Sequence, residues 1–264
     1  MNVVIGIGDS WTSGVGGILD SHRPANYPNE KKYFYYYGGD NENIPNIVKQ
    51  ELASSWVNQL AIRLDYTAIN LGLSGGGNRA AVKSLYVDDI PWNKIQKGIL
   101  IYLLSSRHRF DIFKTNIEYA KDYNERFCNT IRYPDPDDRA ENLKLNNWWF
   151  ENLHSSTLDN NETILNILEA QTIAKLYNLD FYFGFSFDDC SDLINIPLAQ
   201  KINWNRCFTK NTSFLKILAN EQNTPLDLEW YLQQGKSTRL ISKCCHPTDD
   251  GYKLLADLIY NFIK

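Results

Sequence analysis

The sequence has little of what would mark a nucleic-acid, membrane, metal or nucleotide protein. Its 27 Lys and Arg against 31 Asp and Glu leave a formal charge of −4. The basic residues are scattered rather than striped, so nucleic acid is not an expected partner. No apolar run approaches the roughly 20 residues of a membrane helix, and no membrane association is expected. The N-terminus lacks a basic region followed by a long hydrophobic stretch and a small-residue cleavage site, which argues for cytoplasmic synthesis without a signal peptide. The five cysteines are an odd set, only Cys244 and Cys245 are close in sequence, and no CxxC spacing exists, so reduced thiols are expected. Candidate histidines and carboxylates form no ligand-spaced cluster, so no metal is expected. Gly75 to Gly77 precede no GxxxxGK[ST], and Gly6-Ile7-Gly8 lacks the third glycine of a dinucleotide fingerprint. No internal repeat is visible.

What is present is an alternation of apolar runs and amphipathic stretches over 264 residues, 43% of them hydrophobic. That length and fraction suit one large α/β domain or two small ones, and the alternation predicts a mainly parallel sheet wrapped by helices. Strands are expected at Asn2 to Gly8, Thr67 to Leu71, Gly98 to Leu104 and Asp180 to Phe185. The unbroken Ile/Leu/Tyr run of Gly98 to Leu104 reads as a central strand buried on both faces. Helices are expected from Ile47 to Leu64, from the glycine-rich turn to about Val87, near Asp111 to Phe127, from Asn161 to Leu179, from Asp188 to Ile194 and from Ser213 to Ala219. A last helix is capped by Thr248 and carries Tyr252, Leu255, Ile259 and Phe262 on one face. Two stretches break the alternation and read as insertions, at about 16–46 and 128–160. The first holds Tyr33-Phe34-Tyr35-Tyr36-Tyr37, the second Pro134, Pro136 and Trp148-Trp149-Phe150.

Chemistry concentrates at the strand ends. The first strand runs into Gly8-Asp9-Ser10, placing a hydroxyl at the carboxyl edge of the sheet. In a doubly wound sheet the turns after the first three strands share that edge, which gathers Ser10, Gly75 and Ser106. His246-Pro247 stands just before the cap of the last helix, where a rigid proline turn can hold an imidazole over the same edge. A nucleophile first, a histidine last and backbone donors between them is a serine-hydrolase layout.

These residues carry a family resemblance. Gly8-Asp9-Ser10, Asn70-Leu71-Gly72-Leu73-Ser74-Gly75 and His246-Pro247 with Gly251 and Tyr252 resemble, in order, three sequence blocks of the SGNH or GDSL-type hydrolases. That family comprises serine esterases, lipases and carbohydrate deacetylases on a flavodoxin-like three-layer α/β/α sandwich. The spacing of Ser55-Trp56, Leu60-Ala61, Asn70 and Gly76-Gly77-Asn78 further resembles a phage-associated SGNH-like subgroup. The matches span nearly the whole chain, the two insertions aside, and imply a single domain with a sheet of about five strands.

The resemblance implies that Ser10 attacks an ester carbonyl, that the backbone N–H groups of Ser10 and Gly75 form part of an oxyanion hole, and that His246 is the base. No cofactor is needed for acyl transfer through serine. Asp9 reads as a turn former. Two departures stand out. The family's third block supplies an Asn side chain as an oxyanion donor, where this chain has Leu104-Ser105-Ser106-Arg107, leaving Ser106, or Ser105 with a shifted register, to donate. Asn78 is a further candidate on the substrate side. The family aspartate three residues before the histidine is replaced by Lys243, so a backbone carbonyl, Asp188, Asp189 or another carboxylate must orient the imidazole. Arg107 and Arg109 are candidates for an anionic substrate group, with plain salt bridges as the alternative. The aromatic clusters suit sugar stacking, packing of an insertion or a protein interface, the last two being favoured. Two functions follow as expectations: an esterase or carbohydrate O-deacetylase acting through an acyl-serine, or a catalytically reduced relative serving as a structural or binding component of a larger assembly such as a phage particle.

Overall fold

The structure, a computed structural model, describes residues 1–17, 46–73, 76–87, 90–107, 109–113, 127–131, 148, 151–152, 154–234 and 236–264. Four parallel strands, β1 (Asn2–Gly8), β2 (Thr67–Gly72), β3 (Lys97–Leu104) and β6 (Asp180–Phe185), form a sheet in the order β2-β1-β3-β6. The two inner strands are near-continuous apolar runs because both their faces are covered. Val3, Ile5 and Ile7 of β1 and Leu100, Tyr102 and Leu104 of β3 pack into one core, and Val4, Ile99, Ile101 and Leu103 into the other. That alternation is the period of two of a strand with helices on each side.

The first core is closed by α4 (Asn78–Val87) and α5 (Ser156–Leu176), through Ala81, Val82 and Leu85 and through Ile164, Ile167 and Ala170. The second is closed by α3 (Trp56–Leu64), α6 (Phe214–Glu221) and α8 (Asp249–Ile263), through Trp56, Val57, Leu60, Phe214, Leu218, Tyr252, Leu255 and Ile259. The result is the expected three-layer α/β/α sandwich. Side chains of this size each contribute roughly 1.5–3 kcal/mol when fully buried, so these two layers carry the fold. Gly8 lies opposite both Gly72 and Leu103, so the strands end together. That register places the turns after β1, β2 and β3 at one edge.

Several expected boundaries change. The single helix expected from Ile47 to Leu64 is two, α2 (Asn46–Ser54) and α3, separated at Ser55. Buried Ser55 accepts from Asn58 N at 3.4 Å as the cap of α3 and donates to the Leu52 carbonyl at 2.7 Å. A short hydroxyl offered to the backbone in this way competes with helix continuation. Where a helix is expected near Asp111 to Phe127, residues 114–126 lie outside the described residues and both described ends are strands, β4 (Phe110–Phe113) and β5 (Phe127–Ile131), paired antiparallel. Their aromatic and β-branched content favours that pairing. Asp188 to Ile194 is a series of turns rather than a helix, since Asp189 accepts both the backbone N and the hydroxyl of Ser191 through its own side chain. Helix α5 starts at Ser156, inside the expected second insertion, because Ser155 caps it by accepting from Leu158 N at 3.1 Å. The tyrosine run of the first insertion lies outside the described residues, whereas Trp148 is exposed. No described helix is long and apolar enough to cross a membrane. The short helices are α1 (Ser10–Ser13) and α7 (Leu228–Gln234).

Candidate active site

Ser10 opens α1, a single helical turn. Asp9, in extended backbone, caps it by accepting from Trp11 N at 2.9 Å. Gly14 ends the turn at φ 99°, a left-handed conformation that favours glycine. Below this turn Trp11 sits edge-on to Phe187 and Phe214, at 4.8 and 5.8 Å between ring centroids. Tyr252 of α8 donates its hydroxyl to the Val15 carbonyl at 2.7 Å and reaches the Ser10 carbonyl at 3.4 Å. The nucleophile candidate is therefore held by packing beneath it and by the last helix beside it.

His246 stands in a tight turn between Leu240 and α8. Ser242 N donates to the His246 carbonyl at 2.7 Å, and the Ser242 hydroxyl donates to the same oxygen at 2.8 Å. Cys245 adopts φ 61° within this turn. Gly16 lies against it at φ +91°, where a Cβ would come within 2.6 Å of His246 Cβ. His246 Nε2 lies 2.8 Å from Ser10 Oγ, and Nδ1 lies 2.7 Å from the Cys244 carbonyl oxygen. A carbonyl can only accept, so Nδ1 carries the hydrogen and Nε2 presents its lone pair to the serine hydroxyl. Burial of the ring pushes its pKa down, but the Cys244 side chain, the Asp9 carboxylate and the Cys244 carbonyl outweigh it, leaving the pKa above its ordinary 6.5. Of the orienting groups left open by the missing aspartate, the structure places the Cys244 carbonyl at the ring. Asp188 accepts instead from Arg107 N at 3.2 Å, and Asp189 from Ser191.

The side chains expected on the oxyanion side are arranged differently. Ser105 donates its hydroxyl to Asp9 Oδ2 at 2.7 Å. Asn78, expected to face substrate, accepts from Ser105 N at 2.8 Å through Oδ1 and donates to the Ser105 carbonyl at 3.4 Å, so its amide braces the end of β3. Arg107, expected to meet an anionic substrate, donates to Asp192 at 2.6 Å and to Asn160 at 3.0 Å, with Asp188 3.8 Å from Nε. The plain salt bridge is its arrangement. Ser106 is half-buried in the turn after β3, and Gly75 lies outside the described residues. His154 pairs with Asp159 at 2.7 Å at the start of α5.

Asp9 does more than form a turn. Fully buried, it accepts from Trp11 N, from the Ser105 hydroxyl and from Arg109 Nη1 at 3.1 Å. A signal for the last partner was available, because a carboxylate placed directly after a buried strand requires a cation or several donors. Among the described residues no group of three or more His, Cys, Asp or Glu could hold a metal ion.

No family model matches the chain, and no curated protein matches it. A solved structure of a candidate lipolytic protein of the G-D-S-L family from Desulfitobacterium hafniense is similar over 98% of this chain and 98% of that one, with 14% identity and a TM-score of 0.40.

Proposed function

We propose that this chain is an SGNH/GDSL-type serine hydrolase that cleaves esters through an acyl-serine intermediate. The observation that carries the reading is the run Cys244 carbonyl, His246 Nδ1–H, His246 Nε2, Ser10 hydroxyl, with contacts of 2.7 and 2.8 Å. Ser10 Oγ attacks the ester carbonyl while Nε2 takes its proton, and the tetrahedral oxyanion collapses as the imidazolium returns that proton to the leaving alcohol. Water repeats the sequence on the acyl-serine, with His246 again as base. The imidazolium is stabilised by the Cys244 carbonyl and the field of Asp9 in place of a hydrogen-bonded carboxylate. With Ser105 and Asn78 engaged elsewhere, oxyanion stabilisation falls to backbone N–H groups, those of Ser10 and Gly75 in the family pattern, each typically worth roughly 3 kcal/mol. Short acyl groups, including acetyl groups on carbohydrate, are the proposed substrates.

The second reading is a catalytically reduced relative that serves as a structural or binding component of a larger assembly such as a phage particle. The commitment of both Ser105 and Asn78 to the scaffold favours it. Hydrolysis of short p-nitrophenyl esters, and labelling by a fluorophosphonate, separate the two. The first reading expects both, with both lost in Ser10→Ala; an unlabelled Ser10 in folded protein sinks it.

A further inference from the structure

Arg109, two residues beyond Arg107, makes bonds that run to the two loops that the reaction must hold in register. Its Nη1 donates to Asp9 Oδ2 at 3.1 Å and to the Gly76 carbonyl at 3.3 Å. One nitrogen thus touches the residue before the nucleophile and the residue after Gly75. The Arg109 backbone N donates to the Ser106 carbonyl at 3.3 Å, anchoring the same side chain to the turn after β3. Its guanidinium also lies 5.9 Å from the Phe187 ring, which packs on Trp11. Arg107 points elsewhere, bonding Asn160, Asp188 and Asp192.

Resting on the ester-cleaving reading above, we infer that Arg109 is a positioning residue of the site, tying the nucleophile turn to Gly76 of the glycine loop and neutralising Asp9 directly before Ser10. Asp9 is wholly buried, whereas the Arg109 side chain is 22% exposed, so the guanidinium caps the carboxylate from the solvent side. Removing it leaves an uncompensated, fully buried negative charge on the residue before the nucleophile, and it removes the bond that ties Gly76 to that turn. A displacement of about 1 Å in such a loop costs on the order of 100-fold in rate. Lysine cannot reproduce the arrangement fully, because an ammonium is a point charge without the planar fork.

The test is the hydrolysis of a neutral ester, p-nitrophenyl acetate, by the parent, Arg109→Ala and Arg109→Lys, with thermal melting of each. Positioning predicts that Arg109→Ala loses about 100-fold in kcat with KM within about threefold. Guanidinium chloride at tens of millimolar should then restore at least about tenfold of the loss, where sodium chloride at equal ionic strength does not. Arg109→Lys should lie between the two. Unchanged kcat in Arg109→Ala, a rise in KM alone, or a kcat loss that guanidinium does not relieve in a protein that melts like the parent overturns the inference. Should Arg109→Ala fail to fold, Arg109→Lys decides: a reduced kcat at parental KM supports the tie, and parental kcat overturns it. A parent inert to both ester and fluorophosphonate brings down the ester-cleaving reading and this inference with it, whereas an active parent with an indifferent Arg109 brings down the inference alone.

Discussion

Toward the C-terminal turn, Ser10 meets an imidazole whose two nitrogens are both placed, one by a backbone carbonyl and one by the serine itself. Toward the ends of β2 and β3, the polar side chains are bonded to the scaffold: Ser105 to Asp9, Asn78 to the Ser105 backbone, Arg109 to Asp9 and Gly76. If the proposed acyl transfer holds, the difference teaches how its two halves use the protein. Proton transfer needs one side chain with a defined tautomer, which a carbonyl can enforce as well as a carboxylate can. Charge stabilisation can be left to backbone N–H groups, provided that side chains hold those groups still.

The comparison breaks most sharply at its centre. Ser10→Ala and His246→Ala should each lower kcat for p-nitrophenyl acetate by about 10⁴-fold or more, and their combination should cost little beyond either alone, since the pair acts as a unit. Additive losses in the double variant would mean that the two do not share a step. Next in size comes the base side's packing. Gly16→Ala forces a methyl toward His246 at a positive φ, and a kcat loss of about 100-fold in a folded protein is expected. On the opposite side Ser105→Ala should cost under about tenfold, because its hydroxyl serves Asp9; a direct oxyanion donor would cost about 10²–10³-fold.

The smallest expected effect concerns pH. Because His246 has a raised pKa and acts while neutral, kcat/KM should fall as pH drops through a midpoint above 6.5. Its contribution to stability has the opposite slope, being fully present below the unfolded value of about 6.5 and lost as pH rises through the folded one. Cys244→Ala keeps the carbonyl but removes the thiol, so the rate midpoint should move downward. An unmoved midpoint would assign the raised value to Asp9 and the carbonyl alone.

Much of this was legible in the residues. The two inner strands show as apolar runs because burial on both faces leaves no room for polar alternation, and Thr248 announced α8 through its cap. Ser10 and His246 were legible because a hydroxyl after a buried strand and an imidazole before a capped helix are local patterns. The group orienting His246 was not, since a backbone carbonyl has no sequence signature. The Ser55 break was hidden for a different reason: the periodicity of Val48, Leu52, Trp56 and Leu60 continues across it, while Asn70 from β2 donates to both Ser55 Oγ and the Thr12 carbonyl across the fold. In sequence Arg109 stands level with Arg107, and only the pairing of each with its own carboxylates distinguishes them.

The bond between His246 and Ser10 joins residues 236 positions apart, and those from Tyr252 to Val15 and Ser10 span 237 and 242. At roughly 5–20 residues per second of synthesis, the serine leaves the ribosome about 10–50 s before the histidine does. Throughout that interval the emerging chain carries a hydroxyl without a base, and a chain cut anywhere before the last turn stays in that condition. Closing so long a span is also the kind of step that slows folding. On the ester-cleaving reading proposed above, an unfinished copy of this chain holds its serine without its base and should cleave nothing.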